Sequence, residues 1–255
     1  MRIGIIPARM GSSRFPGKPL VELHGYSMLE HCYYRAKMCT SLDEVFIATP
    51  DEVIKDRLEG IGARVVMTSA AHERATERVA EACLIIEREL DTKVTSVVML
   101  QGDEPMVKPE MISLALESLE NSRDGIVNLY TSLRTEQEFL DPNEIKVVVS
   151  KNKEAIYFSR EAIPSNSKYA GAVNAFKQVC IIPFTRDALF EFISFEESYL
   201  EKVESIDMLR WIENGKVVTM AYTNHETYSV DNRKDFEFVR DLMIDDDLID
   251  SYDSF

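Results

Sequence analysis

Short runs of β-branched residues alternate with amphipathic stretches through the first hundred residues of the chain. Ser27 and Glu30 form a capping box at the start of one helix. Asp51 is predicted to cap a second helix, which ends at Gly60, a residue suited to a left-handed turn. The pattern predicts strands over 2–7, 45–48, 63–67 and 95–100, and a third helix over 74–89. Such alternation is typical of a parallel sheet with helices on both faces. We therefore predict an α/β fold with a doubly wound, mostly parallel sheet.

The pattern changes after residue 120, where strands with short connections follow one another. We predict these strands over 126–133, 145–149, 155–159 and 176–183, then helices over 186–195 and 200–214, a strand over 217–222 and a last helix from Asn232. Residues 125–185 are interpreted as a smaller mixed or antiparallel extension within a single domain that spans 1–255. This extension is also a candidate oligomer contact. The acidic tail, 245–255, is predicted to fray.

Composition and charge exclude several classes of protein. The chain has 255 residues and a formal net charge of -15, so it repels the backbone of nucleic acids. Its cysteines are widely spaced without a metal-binding pattern, which favours small buried side chains. No apolar run approaches the roughly 18 residues of a membrane span, and the N-terminus lacks the apolar core of a secretory signal. These features predict a cytoplasmic protein without a membrane span.

A basic loop follows the first predicted strand. Arg2, Arg9, Arg14 and Lys18 all precede the first acidic residue, Glu22. Small residues in this loop leave backbone N–H groups free to approach an anion, and guanidinium groups bind phosphate oxygens in pairs. A Walker A loop is excluded, because five residues separate the two glycines of the loop and a proline follows its lysine. The loop is therefore either a solvated basic segment or, as we favour, a triphosphate site of another type.

Two aspartates are candidates for a metal site. Asp103 follows the fourth predicted strand, and Asp231 lies just before the last predicted helix. Ligands of open parallel sheets bind beyond the carboxyl ends of the strands, so the segments 8–19 and 101–105 should face one crevice. A nucleotide-bound Mg²⁺ needs only one or two carboxylates. Asp231 alone could equally cap the last helix.

Several motifs, taken together, carry a family resemblance. They are IIPAR at 5–9, RFPGKPL at 14–20, TER at 76–78, QGDEP at 101–105, DPN at 141–143 with Lys146, YFSR at 157–160, LR at 209–210 and VD at 230–231. In this order they resemble the 3-deoxy-manno-octulosonate (KDO) cytidylyltransferases, or CMP-KDO synthetases, over about residues 1–243. The resemblance implies a nucleotide-diphospho-sugar transferase-like fold and a homodimer built through the smaller antiparallel region.

The resemblance also implies roles for individual residues. Nucleotide contacts would come from Pro7, Ala8, Arg9, Arg14, Lys18, Arg74, Thr76, Arg78 and Gln101, and sugar contacts from Gln101, Arg160, Gln178 and Asp207. Lys18, Arg14 and Asp103 would be catalytic, with Asp103 and Asp231 binding Mg²⁺. The implied reaction couples CTP to a 2-keto-3-deoxy sugar acid, giving a CMP-sugar and pyrophosphate, as in lipopolysaccharide biosynthesis.

The sugar-binding half departs from the family pattern. Gln178 and Ile182 stand where the family has a histidine and a tyrosine, and Asp207-Met208 replaces a Glu-Gln pair. In the nucleotide pocket, Arg74-Ala75 replaces a Ser-Gly pair. A site built to bind hydroxyl groups discriminates between sugars through those groups, so these changes predict an altered sugar, such as 8-amino KDO. KDO itself stays open as a second interpretation. Three alternatives remain: another nonulosonic acid, a sugar phosphate, and a non-catalytic nucleotide-binding paralogue.

Overall fold

The computed structural model describes residues 1–11, 15–168, 171 and 173–255. The strands are β1 Arg2–Pro7, β2 Glu22–Leu23, β3 Tyr26–Ser27, β4 Glu44–Thr49, β5 Arg64–Met67, β6 Ser96–Leu100, β7 Val127–Ser132, β8 Lys146–Val149, β9 Ala155–Ser159, β10 Phe176–Val179, β11 Ile181–Thr185 and β12 Thr219–Tyr222. The helices are α1 Met28–Lys37, α2 Glu52–Glu59, α3 Ala75–Leu90, α4 Pro109–Leu119, α5 Glu136–Leu140, α6 Arg186–Ser194, α7 Tyr199–Glu204, α8 Met208–Glu213 and α9 Arg233–Leu242, with 3-10 turns at Lys18–Leu20, Met243–Asp245 and Ile249–Ser254.

The chain forms two compact units, and the α/β prediction is confirmed. Unit 1 comprises Met1–Ser113 and Thr227–Phe255, and unit 2 comprises Leu114–Glu226. Unit 2 is therefore larger than the predicted extension over 125–185. Among the described residues, no helix is both long and apolar enough to cross a bilayer.

The parallel strands of unit 1 place two loops side by side. Strands β6, β1, β4 and β5 are neighbours in that order, and each pair is parallel. The chain moves from β1 to β4 and β5 on one side and then returns to β6 on the other, so the strand order reverses at β1. A crevice forms at such a reversal, beyond the carboxyl ends of the strands. The loops that leave β1 and β6 border it.

Local signals around the first helices are confirmed in part. The Ser27–Glu30 capping box is present at the start of α1. The prediction for Gly60 is wrong, because this residue is right-handed with φ -59, and the left-handed glycine is Gly62 with φ 80. Asp51 precedes α2 without a side-chain cap, and its carboxylate instead accepts a hydrogen bond from Met10 N at 2.8 Å. Asp51 therefore secures the loop that follows β1.

The prediction that the acidic tail frays is wrong. Its last segment forms a 3-10 turn, and Tyr252 is buried with 1% exposure. The Tyr252 hydroxyl lies 3.0 Å from Nδ1 of His31 and accepts a 2.8 Å hydrogen bond from Arg35 Nε. Arg35 also donates to Asp246. These buried polar contacts fasten the C-terminus to α1.

This buried cluster predicts acid sensitivity. Burial lowers the pKa of His31 to about 4, while the hydrogen bond with the Leu23 carbonyl opposes the shift. The unfolded chain therefore takes up this proton first, near pH 6.5, and the stability that His31 contributes above that pH is lost as the pH falls towards 4. We expect the free energy of unfolding to fall by about 2 kcal/mol between pH 7 and pH 5 through this group.

Chemical denaturation of His31→Gln across this pH range tests the prediction, with His24→Asn at an exposed position as the control. His31→Gln should flatten the pH dependence and His24→Asn should retain it. An equal slope in the His31 variant and the unaltered protein would contradict the assignment.

Unit 2 is built on a mixed sheet in the order β12-β7-β10-β8-β9. All its neighbouring pairs are antiparallel except β12 with β7. Two predicted elements are divided in the structure. The strand predicted over 176–183 bends at Cys180 into β10 and β11, and the helix predicted over 200–214 is interrupted because Ser205 adopts a left-handed conformation with φ 54.

Candidate functional site

An open cleft of about 360 Å³ lies in unit 1 at the carboxyl edge of the parallel strands. It is lined by Pro7, Ala8, Arg9, Gly11, Lys18, Pro19, His72, Glu73, Arg74, Ala75, Arg78, Gln101, Gly102, Asp103 and Asp231. The predicted crevice between the loops after β1 and β6 is thereby confirmed. The segment after β5 adds a third side to it.

Lys18 lines the cleft and contacts two carboxylates. Its ammonium group lies 2.6 Å from Asp103 Oδ2 and 3.9 Å from Asp231 Oδ1, and it donates a 2.8 Å hydrogen bond to the Val230 carbonyl. Gly17 makes this placement possible, because the residue before the 3-10 turn is left-handed with φ 74, which costs glycine least. Two carboxylates and a carbonyl thus converge on one cation.

Asp231 does not cap the last helix. The N-cap of α9 is Asn232, whose side chain accepts hydrogen bonds from Lys234 N and Asp235 N. Asp231 lies one residue earlier, and its carboxylate faces Lys18. Of the two readings that the sequence left open, the structure favours the one that places this carboxylate in the cleft.

Another part of the cleft is lined by Arg9, Arg74 and Arg78. Arg78 donates hydrogen bonds to Thr68 Oγ1 at 2.7 Å, to the Ser69 carbonyl at 3.2 Å and to the His72 carbonyl at 3.3 Å. Burial, and then the positive charge of Arg9, lower the pKa of Arg78. Two like charges held near each other favour the arrival of an anion between them. The part of the cleft near Arg9 and Arg78 is therefore suited to binding phosphate oxygens.

The Arg78 fork can be tested by substitution. We expect Arg78→Met to raise the KM for the predicted nucleotide by about tenfold or more, because it removes a positive charge from the cleft and the hydrogen bonds that hold residues 68–72. Steady-state kinetics with varied nucleotide measures the effect. Arg88→Met, on the exposed side of α3, removes the same charge and should leave the KM unchanged. Equal KM values for both variants would contradict the role of Arg78.

Most of the predicted nucleotide-binding residues border the cleft, with two exceptions. Thr76 is fully buried, and its hydroxyl lies 3.9 Å from the Met99 sulfur, so it supports α3 from the core rather than lining the cleft. Arg14, predicted to be both catalytic and nucleotide-binding, lies outside the described residues.

The predicted sugar-binding residues divide between the two units. Gln101 lines the cleft of unit 1, whereas Arg160, Gln178 and Asp207 belong to unit 2. The guanidinium of Arg160 donates to the carbonyls of Glu204, Pro142 and Ser205. The Gln178 side chain donates to Asn128, which is fully buried. Both side chains are therefore held in defined positions within unit 2.

Sequence reasoning missed two residues that line the cleft of unit 1. His72 and Glu73 line the cleft, and His72 Nε2 lies 2.6 Å from Glu81 Oε2. Their position in the loop that follows the third predicted strand, 63–67, was a signal, since that strand also ends at the ligand-binding edge. The Val230 carbonyl, by contrast, leaves no trace in the sequence, because any residue could supply it.

The donor set of the cleft fits a divalent cation. The Lys18 ammonium already serves as a cation to which Asp103, Asp231 and the Val230 carbonyl are directed. Oxygen donors of this kind are what Mg²⁺ prefers, with phosphate oxygens and water completing its shell. Among the residues that the structure describes, no group of three or more His, Cys, Asp or Glu side chains could hold a metal.

The sequence is similar to known cytidylyltransferases. A family model described as cytidylyltransferase matches residues 3–224. The 3-deoxy-manno-octulosonate cytidylyltransferase of Thermodesulfovibrio yellowstonii is 37% identical, covering 92% of this chain and 95% of that protein. The mitochondrial 3-deoxy-manno-octulosonate cytidylyltransferase of Arabidopsis thaliana is 36% identical, covering 94% of this chain and 82% of that protein.

Solved structures agree with this similarity. A CMP:2-keto-3-deoxy-manno-octonic acid synthetase complexed with CTP superposes with a TM-score of 0.85 at 32% identity, covering 95% of this chain and 98% of that one. The 4-diphosphocytidyl-2C-methyl-D-erythritol synthase of Anaerococcus prevotii gives a TM-score of 0.62 at 14% identity, covering 95% of each chain. At that identity the second match shows a shared fold alone.

Proposed function

Because this chain belongs to the cytidylyltransferase family and is a nucleotidyltransferase, we propose that it couples CTP to a 2-keto-3-deoxy sugar acid, releasing pyrophosphate. The observation that carries the proposal is the convergence of Lys18, Asp103 and Asp231 in a cleft that Arg9 and Arg78 also line. Carboxylates and basic groups in one cleft suit a metal-bound triphosphate. A site that only bound a nucleotide would not need the paired aspartates.

The reaction would be an in-line substitution at phosphorus. The anomeric hydroxyl oxygen of the sugar forms a bond to the α-phosphorus of CTP, the bond from that phosphorus to the bridging oxygen breaks, and pyrophosphate leaves. Arg9, Arg78 and Lys18 would bind and orient the phosphates, and Arg14 would add a further cation. Since both substrates are anions, positioning and neutralisation supply most of the rate enhancement.

Asp103 and Asp231 would hold a magnesium ion, which when bound neutralises charge on the phosphates. Both carboxylates are partly exposed, with side-chain exposures of 26% for Asp103 and 18% for Asp231, so the nucleotide can reach the ligands from the open side of the cleft. The Val230 carbonyl, which accepts from the same Lys18 ammonium group, would be a further oxygen available to the metal or to its water.

We propose that the sugar is KDO or a KDO-like acid with an altered substituent, such as 8-amino KDO. The curated relatives are named for 3-deoxy-manno-octulosonate, which supports the acid class. Gln178 and Ile182, which stand where the resembling family has a histidine and a tyrosine, support a changed substituent. A site that loses a hydrogen-bonding group loses discrimination for the hydroxyl that the group recognised.

A substrate panel tests the sugar assignment. Pyrophosphate release should be measured with CTP, Mg²⁺ and one acid at a time: KDO, 8-amino KDO or a sialic-type acid. We expect kcat/KM for one 2-keto-3-deoxy acid to exceed that for the other acids by about tenfold or more. A clear preference for ordinary KDO would remove the altered-sugar proposal, and activity with the sialic-type acid alone would overturn the assignment to an octulosonate.

A homodimer formed through unit 2 is part of the proposal. Strand β9 lies at the end of the strand order of its sheet, and Ile156 on this strand is 55% exposed. Tyr199 and Val203, one turn apart on α7, are 72% and 62% exposed. Light scattering should give twice the 29.1 kDa chain mass, and Ile156→Lys should give a monomer. A monomeric unaltered protein would contradict the dimer.

We also propose that the reaction takes place in the cytoplasm.

A further inference from the structure

Lys18 occupies the position that a metal ion would need. Its ammonium group is 2.6 Å from Asp103 Oδ2, 2.8 Å from the Val230 carbonyl and 3.9 Å from Asp231 Oδ1. An ammonium group has three donors, and here it donates to Asp103 and to the Val230 carbonyl while forming an ion pair with Asp231. The side chain is only 14% exposed. Lys18 is thus a tethered cation placed between the carboxylates of Asp103 and Asp231.

The acceptors are held independently of Lys18. Val230 is fully buried, and its backbone N–H donates a 2.9 Å hydrogen bond to the Asp103 carbonyl. The backbone N–H of Asp231 donates to Asp235 Oδ2 at 2.9 Å. If the ammonium left, the main chain would keep both carboxylates in place, and their mutual repulsion would favour another cation between them.

The main chain beneath Lys18 is also fixed. Phe15 belongs to a buried cluster that includes Val230 and Phe236, and its ring meets that of Phe236 edge-on at 5.7 Å. The left-handed Gly17 then sets the direction of the following turn. The lysine stem itself is a flexible chain of four carbons. The ammonium group can therefore leave the aspartates by side-chain rotation alone and reach an anion elsewhere in the cleft.

An ammonium group and a divalent cation cannot occupy this position together. Mg²⁺ requires oxygen ligands at about 2.0–2.1 Å in near-octahedral geometry, and a second positive charge within a few ångströms repels it. Without nucleotide, a metal ion must displace a cation whose tether gives it a high effective concentration. With nucleotide bound, the triphosphate offers Lys18 another partner and offers the metal further oxygens.

We infer that the Lys18 ammonium group occupies the metal position until a nucleotide binds. Lys18 thereby couples metal binding to nucleotide binding. This inference rests on the proposed metal-dependent function and assigns Lys18 a role before the reaction, as a positioning residue. By thermodynamic reciprocity, the nucleotide must raise the affinity for metal as much as metal raises the affinity for nucleotide. Removing the ammonium group should weaken this coupling.

The test is metal binding without turnover. Mn²⁺ binding to nucleotide-free protein is measured by electron paramagnetic resonance for the unaltered protein, Lys18→Met and Lys93→Met, an exposed lysine in unit 1. We expect Lys18→Met to bind Mn²⁺ roughly tenfold or more tightly, Lys93→Met to be unchanged, and the added change Asp103→Asn to abolish the gain. Equal affinity in Lys18→Met and the unaltered protein overturns the inference.

A second measurement needs no variant and decides the question if Lys18→Met fails to fold. Lysine acetylation is followed by mass spectrometry with and without saturating Mg²⁺ and without nucleotide. If Mg²⁺ releases the ammonium group from the aspartates, we expect acetylation of Lys18 to rise several-fold and acetylation of Lys93 to stay the same. Unchanged acetylation of Lys18 overturns the inference. Because neither readout involves catalysis, a parallel pyrophosphate assay separates failure of this inference from failure of the proposed function.

Discussion

Asp103→Asn should lower the rate of pyrophosphate release by about a thousandfold or more, because it removes a charged ligand where the phosphates must be neutralised. Asparagine keeps the shape of the side chain, and the carboxylate it replaces is partly exposed, so thermal stability should change little. Single-turnover release of pyrophosphate from CTP measures the loss directly.

The matched control for this prediction is Asp56→Asn, which removes the same charge from an exposed position on α2. It should retain full activity. An Asp103→Asn enzyme that keeps more than about a tenth of the rate would contradict the proposed role of this carboxylate as a metal ligand, since the loss of such a ligand is expected to cost far more than that.

Lys146→Met should have the second large effect, on sugar binding and on stability together. Lys146 is fully buried, and its ammonium group donates to the carbonyls of Asp141, Glu144 and Arg160 at 2.6–2.7 Å. Methionine has a similar length but no donor, so three carbonyls would lose their charged partner. We expect a loss of about 2–4 kcal/mol in the free energy of unfolding.

The same lysine holds the loop against which Arg160 rests. Arg160 donates to the Pro142 carbonyl, within the segment that Lys146 secures. We therefore expect Lys146→Met to raise the KM for the sugar acid by about tenfold and to change the KM for CTP much less.

Urea denaturation and steady-state kinetics with each substrate varied in turn check both effects of Lys146→Met. Lys151→Met, an exposed lysine of unit 2, is the matched control. If Lys146→Met proves too unstable to assay, Arg160→Lys, which keeps the charge but loses the planar fork, tests the sugar site alone. An unchanged sugar KM in both variants would contradict the predicted role of Arg160.

Sequence patterning predicted the elements of unit 1 well because their signals are local. Strand β1 matches the predicted range, and the Ser27–Glu30 capping box is present, since each depends on residues close in the chain. The prediction for the tail failed for the opposite reason. Tyr252 is ordered by His31 and Arg35, more than two hundred residues earlier, and no local pattern reports such contacts.

In the candidate site, too, some features could be predicted from the sequence and others required the folded chain. Topology alone brought the loops after β1 and β6 to one crevice, so Lys18 and Asp103 could be placed there from the strand pattern. The position of Thr76 in the core depended on how α3 packs, and the motif did not reveal it. The contact of Lys18 with the Val230 carbonyl required the folded chain, because it joins residues 212 positions apart through a main-chain atom.

The most direct test of the proposed function is the formation of product from defined substrates. The protein is incubated with CTP, Mg²⁺ and KDO or 8-amino KDO, and the reaction is followed by phosphorus-31 NMR. The proposal predicts one phosphodiester signal of a CMP-sugar for each pyrophosphate released with at least one of these acids, and none in the Asp103→Asn enzyme. CTP binding without any phosphodiester product from either acid would contradict it.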